Sequence, residues 1–210
     1  MSNRNNALII FSKNPVEGKV KTRLVPEWGS EGALKIYKDL LKKTIETVKQ
    51  SEISDIYIYC TPNLEDSYLQ FCSSQYELKL ELQKGKDLGE RMANAIHDMT
   101  QKYSNVIIVG CDCPELSYKD INLAAEKLNV DFDLVLGPSE DGGYYLIGMN
   151  NYFPEVFQDI DWGTGSVLSE TRRHISEQGL MVYELDTKWD LDRPEDVHRY
   201  FRSRQSGHLI

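Results

Sequence analysis

Two short stretches of this chain are apolar at every position: Ala7-Leu8-Ile9-Ile10-Phe11 and Val106-Ile107-Ile108-Val109. A strand with one wet face alternates apolar and polar residues. A strand with no polar position has to be covered on both faces, as inside a parallel sheet flanked by helices. The rest of the chain supplies such helices. Leu34, Tyr37, Leu41, Ile45 and Val48 recur at helical spacing and predict an amphipathic helix over 30–50. Leu88, Met92, Ala95, Ile96 and Met99 form a second stripe. Further helices are predicted at 64–73, 117–128 (with Ser117 as N-cap), 164–177 and 194–202. Strands are predicted at 56–60, 78–82, 134–136, 144–147 and 180–185. Strands alternating with helices define an α/β fold with a mostly parallel sheet. The strands near 134–148 are joined by few residues, which admits an antiparallel member.

At 210 residues the chain is expected to form one domain, spanning 1–210, at about 150 residues per domain. The five-residue run at 7–11 is far short of the ~20 apolar residues of a membrane span, and the polar start shows no secretory signal core. Cys60, Cys72, Cys111 and Cys113 include no Cys-x-x-Cys pair, so reduced thiols and a cytoplasmic location are expected. With 24 basic and 33 acidic residues the net charge is -9, which argues against a nucleic-acid partner. It leaves room for a small phosphate ligand held by a local basic loop.

In open α/β sheets ligands bind beyond the carboxyl ends of the strands, so the segments after Phe11, Cys60, Leu82, Val109 and Leu136 are where a site is expected. The first holds Lys13, Gly18, Lys19, Lys21 and Arg23: a glycine and four cations within eleven residues of an acidic protein. Such a loop suits phosphate oxygens, although it lacks the Gly-Lys-Ser/Thr of a Walker A loop and could be a solvated surface. The second is Gly110-Cys111-Asp112-Cys113-Pro114, which places a carboxylate just past an apolar strand, where it could hold a divalent cation or cap a turn. The two thiols are read as space-filling. The third, Glu140-Asp141-Gly142-Gly143-Tyr144-Tyr145, pairs acids with glycines that allow close backbone approach, or a plain hairpin turn. The fourth, 189–196, reads as a helix start with Asp192 as N-cap, Pro194 in the first turn, and Glu195 and Asp196 on the positive end of the dipole. Asp190 and Asp192 are expected not to face the same side, so only one would reach a metal. No Gly-x-Ser-x-Gly elbow supports serine hydrolase chemistry.

Taken together, the segments 11–24, 110–114, 141–144 and 189–196 resemble a bacterial family of small glycosyltransferase-like proteins in the nucleotide-diphospho-sugar transferase superfamily, once a domain of unknown function. Some members are linked to arsenosugar biosynthesis. The resemblance spans Ala7 to about Phe201. It implies a three-layer α/β/α sandwich of the GT-A-like kind, with a nucleotide at the carboxyl end of the sheet. It implies Mg²⁺ or Mn²⁺ near Asp112, with Asp192 as second ligand and Asp190 as the alternative, and Lys21 and Arg23 on phosphates. Many glycosyltransferases of this fold carry Asp-x-Asp, where this chain has Cys113.

The expected catalytic residues are therefore Lys21, Arg23, Asp112 and Asp141, with Glu140 or Asp141 as a base. The substrate-binding candidates are Phe11, Lys13, Gly18, Arg91, Gly142 and Gly143. Three activities follow: metal-dependent glycosyl transfer from a nucleotide-diphospho-sugar, ranked first; nucleotidyl transfer from a nucleoside triphosphate to a sugar phosphate or similar anion; and non-catalytic nucleotide binding. The expected partners are the nucleotide, a small-molecule acceptor and a second copy in a homodimer.

Overall fold

The computed structural model describes residues 5–205. Seven strands form one sheet: β1 Asn6–Lys13, β2 Asp55–Thr61, β3 Lys79–Leu82, β4 Asn105–Gly110, β5 Leu134–Pro138, β6 Tyr144–Met149 and β7 Val182–Glu184. Six helices surround it: α1 Val25–Val48, α2 Ser67–Tyr76, α3 Leu88–Thr100, α4 Tyr118–Asn129, α5 Val167–Glu177 and α6 Pro194–Gln205. The strand order is β3-β2-β1-β4-β6-β5-β7. All neighbours are parallel except β6, which runs antiparallel to both β4 and β5. The antiparallel member admitted above is therefore β6, joined to β5 by a tight turn.

The period of two along a strand explains the layers. Leu8 and Ile10 on β1 and Ile107 and Val109 on β4 point to one face. There they pack with Leu41 and Ile45 of α1, Leu69 of α2 and Ile121 and Leu128 of α4. Ala7 and Ile9 with Val106 and Ile108 point to the other, against Met92 and Ile96 of α3 and Leu168 and Ile175 of α5. Each buried Leu or Ile contributes roughly 1.5–3 kcal/mol relative to exposure, so no polar residue can be tolerated at these positions. The result is a helix–sheet–helix sandwich of the GT-A-like kind. A third cluster, with Leu24, Leu40, Leu191 and Val197, pins α6 and the segment before it to α1.

Several boundaries move for identifiable reasons. The helix expected over 30–50 begins at Val25 and breaks at Gly29, whose φ of 67° no helix accommodates. α2 starts at Ser67 rather than 64 because the Asp66 carboxylate accepts from Tyr68 N and Leu69 N. α5 starts at Val167 rather than 164 because Gly163, at φ 90°, holds the preceding loop open. Ser117 caps α4 as expected, in a capping box with Asp120. Asp192 does not cap α6. Its carboxylate is engaged by Lys21 and Arg23, and Asp196, inside the first turn, reaches back to accept from Asp192 N at 3.0 Å and Arg193 N at 2.7 Å. All four cysteines are free and buried. Among the described residues no helix is long and apolar enough to cross a membrane.

Candidate active site

A cavity of about 970 Å³ opens beyond the carboxyl ends of β1 to β4 and the β5–β6 turn. Its polar centre is built around Lys21. This residue sits in the loop after β1 at φ 47° and ψ 42°, a left-handed conformation that turns the chain into the short 3₁₀ turn Thr22–Leu24. The side chain is 3% exposed. Nζ lies 2.7 Å from Asp112 Oδ1 and 2.9 Å from Asp192 Oδ1. Burial opposes its charge, but Asp112 and Asp192 outweigh that and hold the ammonium above its ordinary range. Arg23 reaches the other oxygen of Asp192, with Nη1 2.8 Å from Oδ2. Burial raises the Asp192 carboxyl, yet Lys21 and Arg23 prevail and hold it below the usual range.

Asp112 stands two residues past β4, and Leu191 N donates to its backbone carbonyl at 2.8 Å, which joins the strand end to the 189–192 segment. Asp190 lies on the same segment. Its Oδ2 is 2.6 Å from Ser139 Oγ, which is also 2.6 Å from Asp141 Oδ1. A hydroxyl carries one proton and cannot donate to both. A proton on one carboxyl therefore completes the chain, and Asp190 is its holder. Burial pushes this carboxyl up to about 7, with Asp112 and Asp141 adding to the rise and Ser139 opposing it. Asp190 and Asp192 both line the cavity. The expectation that they face apart is thereby corrected, since residues i and i+2 of an extended segment share a side.

Phe11, Lys13, Arg91 and Gly143 line the cavity beside Lys21, Arg23, Asp112, Asp141 and Asp192. Gly18 and Gly142 do not. Gly18 turns the basic loop at φ 70° with open space around it. Gly142, at φ 88°, packs its α-carbon against the Gly165 carbonyl, so it holds the β5–β6 turn on the loop before α5. The 140–145 segment is thus a hairpin turn as well as a cavity wall. Glu140 lines it but is taken up by Arg199 in a two-pronged pair at 2.7 and 3.0 Å, which holds its carboxyl low and leaves Asp141 as the freer of the two acids. The Cys113 thiol is neutral, pushed up to about 12 by burial, so it supplies no second acid after Asp112.

The sequence reading passed over Gln83 at the end of β3, Ser139, and the loop 162–165, all on the cavity wall or its hydrogen-bond chain. Trp162-Gly163-Thr164-Gly165 carries the signal of a turn rather than a helix, two glycines bracketing a threonine.

Among the described residues no group of three or more His, Cys, Asp or Glu is placed to hold a metal. Mg²⁺ needs fewer, because it keeps waters and takes oxygens from substrate phosphates. Asp112, Asp190 and Asp192 all line the cavity and offer the carboxyl oxygens that a hard dication takes. Asp192 is paired with Lys21 and Arg23, and Asp112 is paired with the same Lys21.

The chain is similar to known proteins in sequence and in fold. A 2-phospho-L-lactate guanylyltransferase of Methanocaldococcus fervens is 28% identical over 92% of this chain and 84% of its own length. That of Methanocaldococcus jannaschii is 25% identical over 92% and 81%. The crystal structure of a candidate nucleotide-diphospho-sugar transferase from Desulfovibrio desulfuricans superposes with a TM-score of 0.88 at 29% identity, covering 96% of this chain and 88% of that one. A cytidylyltransferase from Leptospira borgpetersenii shares the fold at TM-score 0.62 and 12% identity, covering 99% and 89%. The protein is a transferase of the nucleotide-diphospho-sugar transferase kind. The chain belongs to the DUF2064 family, described as an uncharacterized protein conserved in bacteria, whose model matches residues 44–164.

Proposed function

We propose that the protein is a nucleotidyltransferase that joins a nucleoside triphosphate to a small phosphate-bearing acceptor. The observation that carries this is the pairing of Lys21 and Arg23 with the carboxylates of Asp112 and Asp192 at one end of the cavity. Phosphoryl-group chemistry asks mainly for positioning and charge neutralisation, and a cation-rich loop beside one or two carboxylates supplies both. Similarity to guanylyltransferases along 92% of the chain supports the same choice. So does the neutral Cys113, which leaves Asp112 without the second acid of Asp-x-Asp. Glycosyl transfer, ranked first from the sequence, becomes the second reading; the Desulfovibrio neighbour keeps it open.

In the proposed reaction an acceptor phosphate oxygen attacks the α-phosphorus. The bond from that phosphorus to the oxygen bridging the β-phosphate breaks, and pyrophosphate leaves. Asp112 and Asp190 would hold Mg²⁺ or Mn²⁺, which when bound draws charge off the triphosphate. Lys21 and Arg23 face the same oxygens with charges fixed in advance, and Asp192 positions both cations by binding each with one oxygen. Asp141, tied to Ser139 Oγ and to Gly143 N at 2.9 Å, orders the turn that walls the acceptor side. The acceptor phosphate is already ionised at neutral pH, so no general base is required of Asp141.

The test is pyrophosphate release from each nucleoside triphosphate with Mg²⁺ and a panel of phosphorylated hydroxy acids, enols and sugars. Nucleotide sugars with the same panel as acceptor source form the second arm. Acceptor-dependent pyrophosphate that is lost in Lys21→Met supports the proposal. Nucleoside diphosphate appearing in the second arm alone would replace it with glycosyl transfer.

A further inference from the structure

We infer that the turn between β3 and α3 reads the nucleobase through Gln83 and Arg91, and that the base it selects is guanine. This rests on the nucleotidyl reading above and deepens it.

The side chain of Gln83 has a fixed polarity. Its Nε2 donates to Ser12 O at 3.0 Å and to Tyr59 O at 2.8 Å, so both amide hydrogens are spent on the ends of β1 and β2. A flipped amide would set Oε1 against two carbonyl oxygens, which excludes that orientation. Oε1 is left without a protein partner among the described residues, on a side chain that lines the cavity. Gln83 therefore offers an acceptor and nothing else.

Arg91 is fixed in the opposite sense. Its Nε donates to Gly85 O at 3.0 Å, which pins the guanidinium, and its two terminal nitrogens have no carboxylate partner among the described residues. Arg91 also lines the cavity and can only donate. In a protein of net charge -9, a pinned and unpaired guanidinium in a cavity is a feature to be explained.

The turn that joins them is tightly tied. Asp87 caps α3 by accepting from Glu90 N at 2.8 Å, Glu90 accepts from Lys86 N at 3.0 Å, and Asn94 Nδ2 donates to Lys84 O at 2.9 Å. Gly85 has φ 143°, and a Cβ there would lie 2.8 Å from Arg91 N, so the turn closes only around a glycine. Leu88, apolar yet 45% exposed, stands on the same wall and offers a surface for a flat ring.

An arginine fork and a fixed acceptor in the lining of one cavity match one base. Guanine presents O6 and N7 side by side as acceptors, which a guanidinium reads with two nitrogens, and N1–H and N2–H₂ next to them as donors. Adenine puts an amino group where O6 would be and an acceptor where N1–H would be. Pyrimidines have no N7. Phosphates extending from a base held here meet Lys21 and Arg23, on the wall of the same cavity.

The test is equilibrium binding of nucleoside triphosphates with Mg²⁺ to the full chain, by calorimetry, and it needs no acceptor. GTP is expected to bind about tenfold or more tightly than ATP, CTP or UTP, the size of one good two-pronged contact. Inosine triphosphate, which lacks the N2 amino group, and 7-deaza-GTP, which lacks N7, should each fall short of GTP. In Arg91→Lys the 7-deaza penalty should vanish while circular dichroism stays unchanged. Gln83→Met, which removes the fixed acceptor, should bind GTP and the other triphosphates more nearly alike, and the analogues on the unaltered protein keep the test valid should that variant fail to fold. Equal binding of all four triphosphates overturns the inference and leaves nucleotidyl transfer standing. An Arg91→Lys variant that keeps its guanine preference but loses only acceptor KM also overturns it, by moving Arg91 to the acceptor. Absence of any triphosphate binding removes the nucleotidyl reading, and this inference with it.

Discussion

At the scale of single residues, Asp190 makes the sharpest demand. Burial lifts its carboxyl from the ordinary 3.8 to about 7, so between those values the folded protein holds a proton that the unfolded chain has released. Stability falls with rising pH wherever the folded state binds more protons. The contribution of the neutral carboxyl is present in full below 3.8 and is lost as pH rises through about 7. Asp190→Asn, which cannot ionise, should therefore gain stability over the parent at pH 8 relative to pH 5. Urea denaturation of both proteins at the two pH values measures it, and an equal difference at both would mean that Asp190 titrates normally. The sequence pointed to Lys21, Arg23 and Asp112 because each lies just past an apolar strand, where the sheet rule looks for a site. It ranked Asp190 below Asp192 because the helix-start pattern drew attention to the later acid. Gln83 went unnoticed because an uncharged amide gives no signal until its hydrogen bonds are seen.

At the scale of elements, periodicity carried most of the reading. α3 and α4 lie close to their stripes, and β1 and β4 are covered on both faces as their unbroken apolar runs require. The ends moved where a glycine or a capping carboxylate decided them, and such decisions depend on what each side chain meets. The two glycines of the candidate list that lie off the cavity show the difference. Both Gly18 and Gly142 have positive φ, and an alanine at either costs about 1–2 kcal/mol of conformational strain. At Gly18 the added methyl meets nothing within 4 Å, so strain is the whole cost. At Gly142 it collides with the Gly165 carbonyl, a backbone atom that cannot swing aside. Gly142→Ala should therefore be the more destabilising of the two by chemical denaturation. It should also weaken activity, since the turn and the 162–165 loop wall the cavity together. Equal losses for the two variants would show that the loop before α5 yields freely.

At the scale of the whole molecule, the strand order was not legible, because apolar runs say which strands are central but not which neighbours they take. That order matters: β1 and β4 are adjacent, so the basic loop after one and Asp112 after the other meet across a single strand spacing. β6 returns antiparallel, which brings the turn carrying Asp141 to the same end. The two large cores are closed by apolar side chains on each face of the sheet, with the acids gathered outside them. Stability and metal binding should therefore be separable. Asp112 and Asp190 give Mg²⁺ too few ligands without phosphate oxygens, and a triphosphate without Mg²⁺ meets the Asp112 carboxylate as a like charge. A ligand raises Tm only as far as it binds the native state. Mg²⁺ alone and nucleoside triphosphate alone should each shift Tm little, and the two together should shift it by more than their sum. Chelation should return Tm to the ligand-free value without unfolding the protein. Asp190→Asn should abolish the excess shift while keeping the fold. An excess that survives in Asp190→Asn but disappears in Asp192→Asn would return the metal to the acid now held by Lys21 and Arg23.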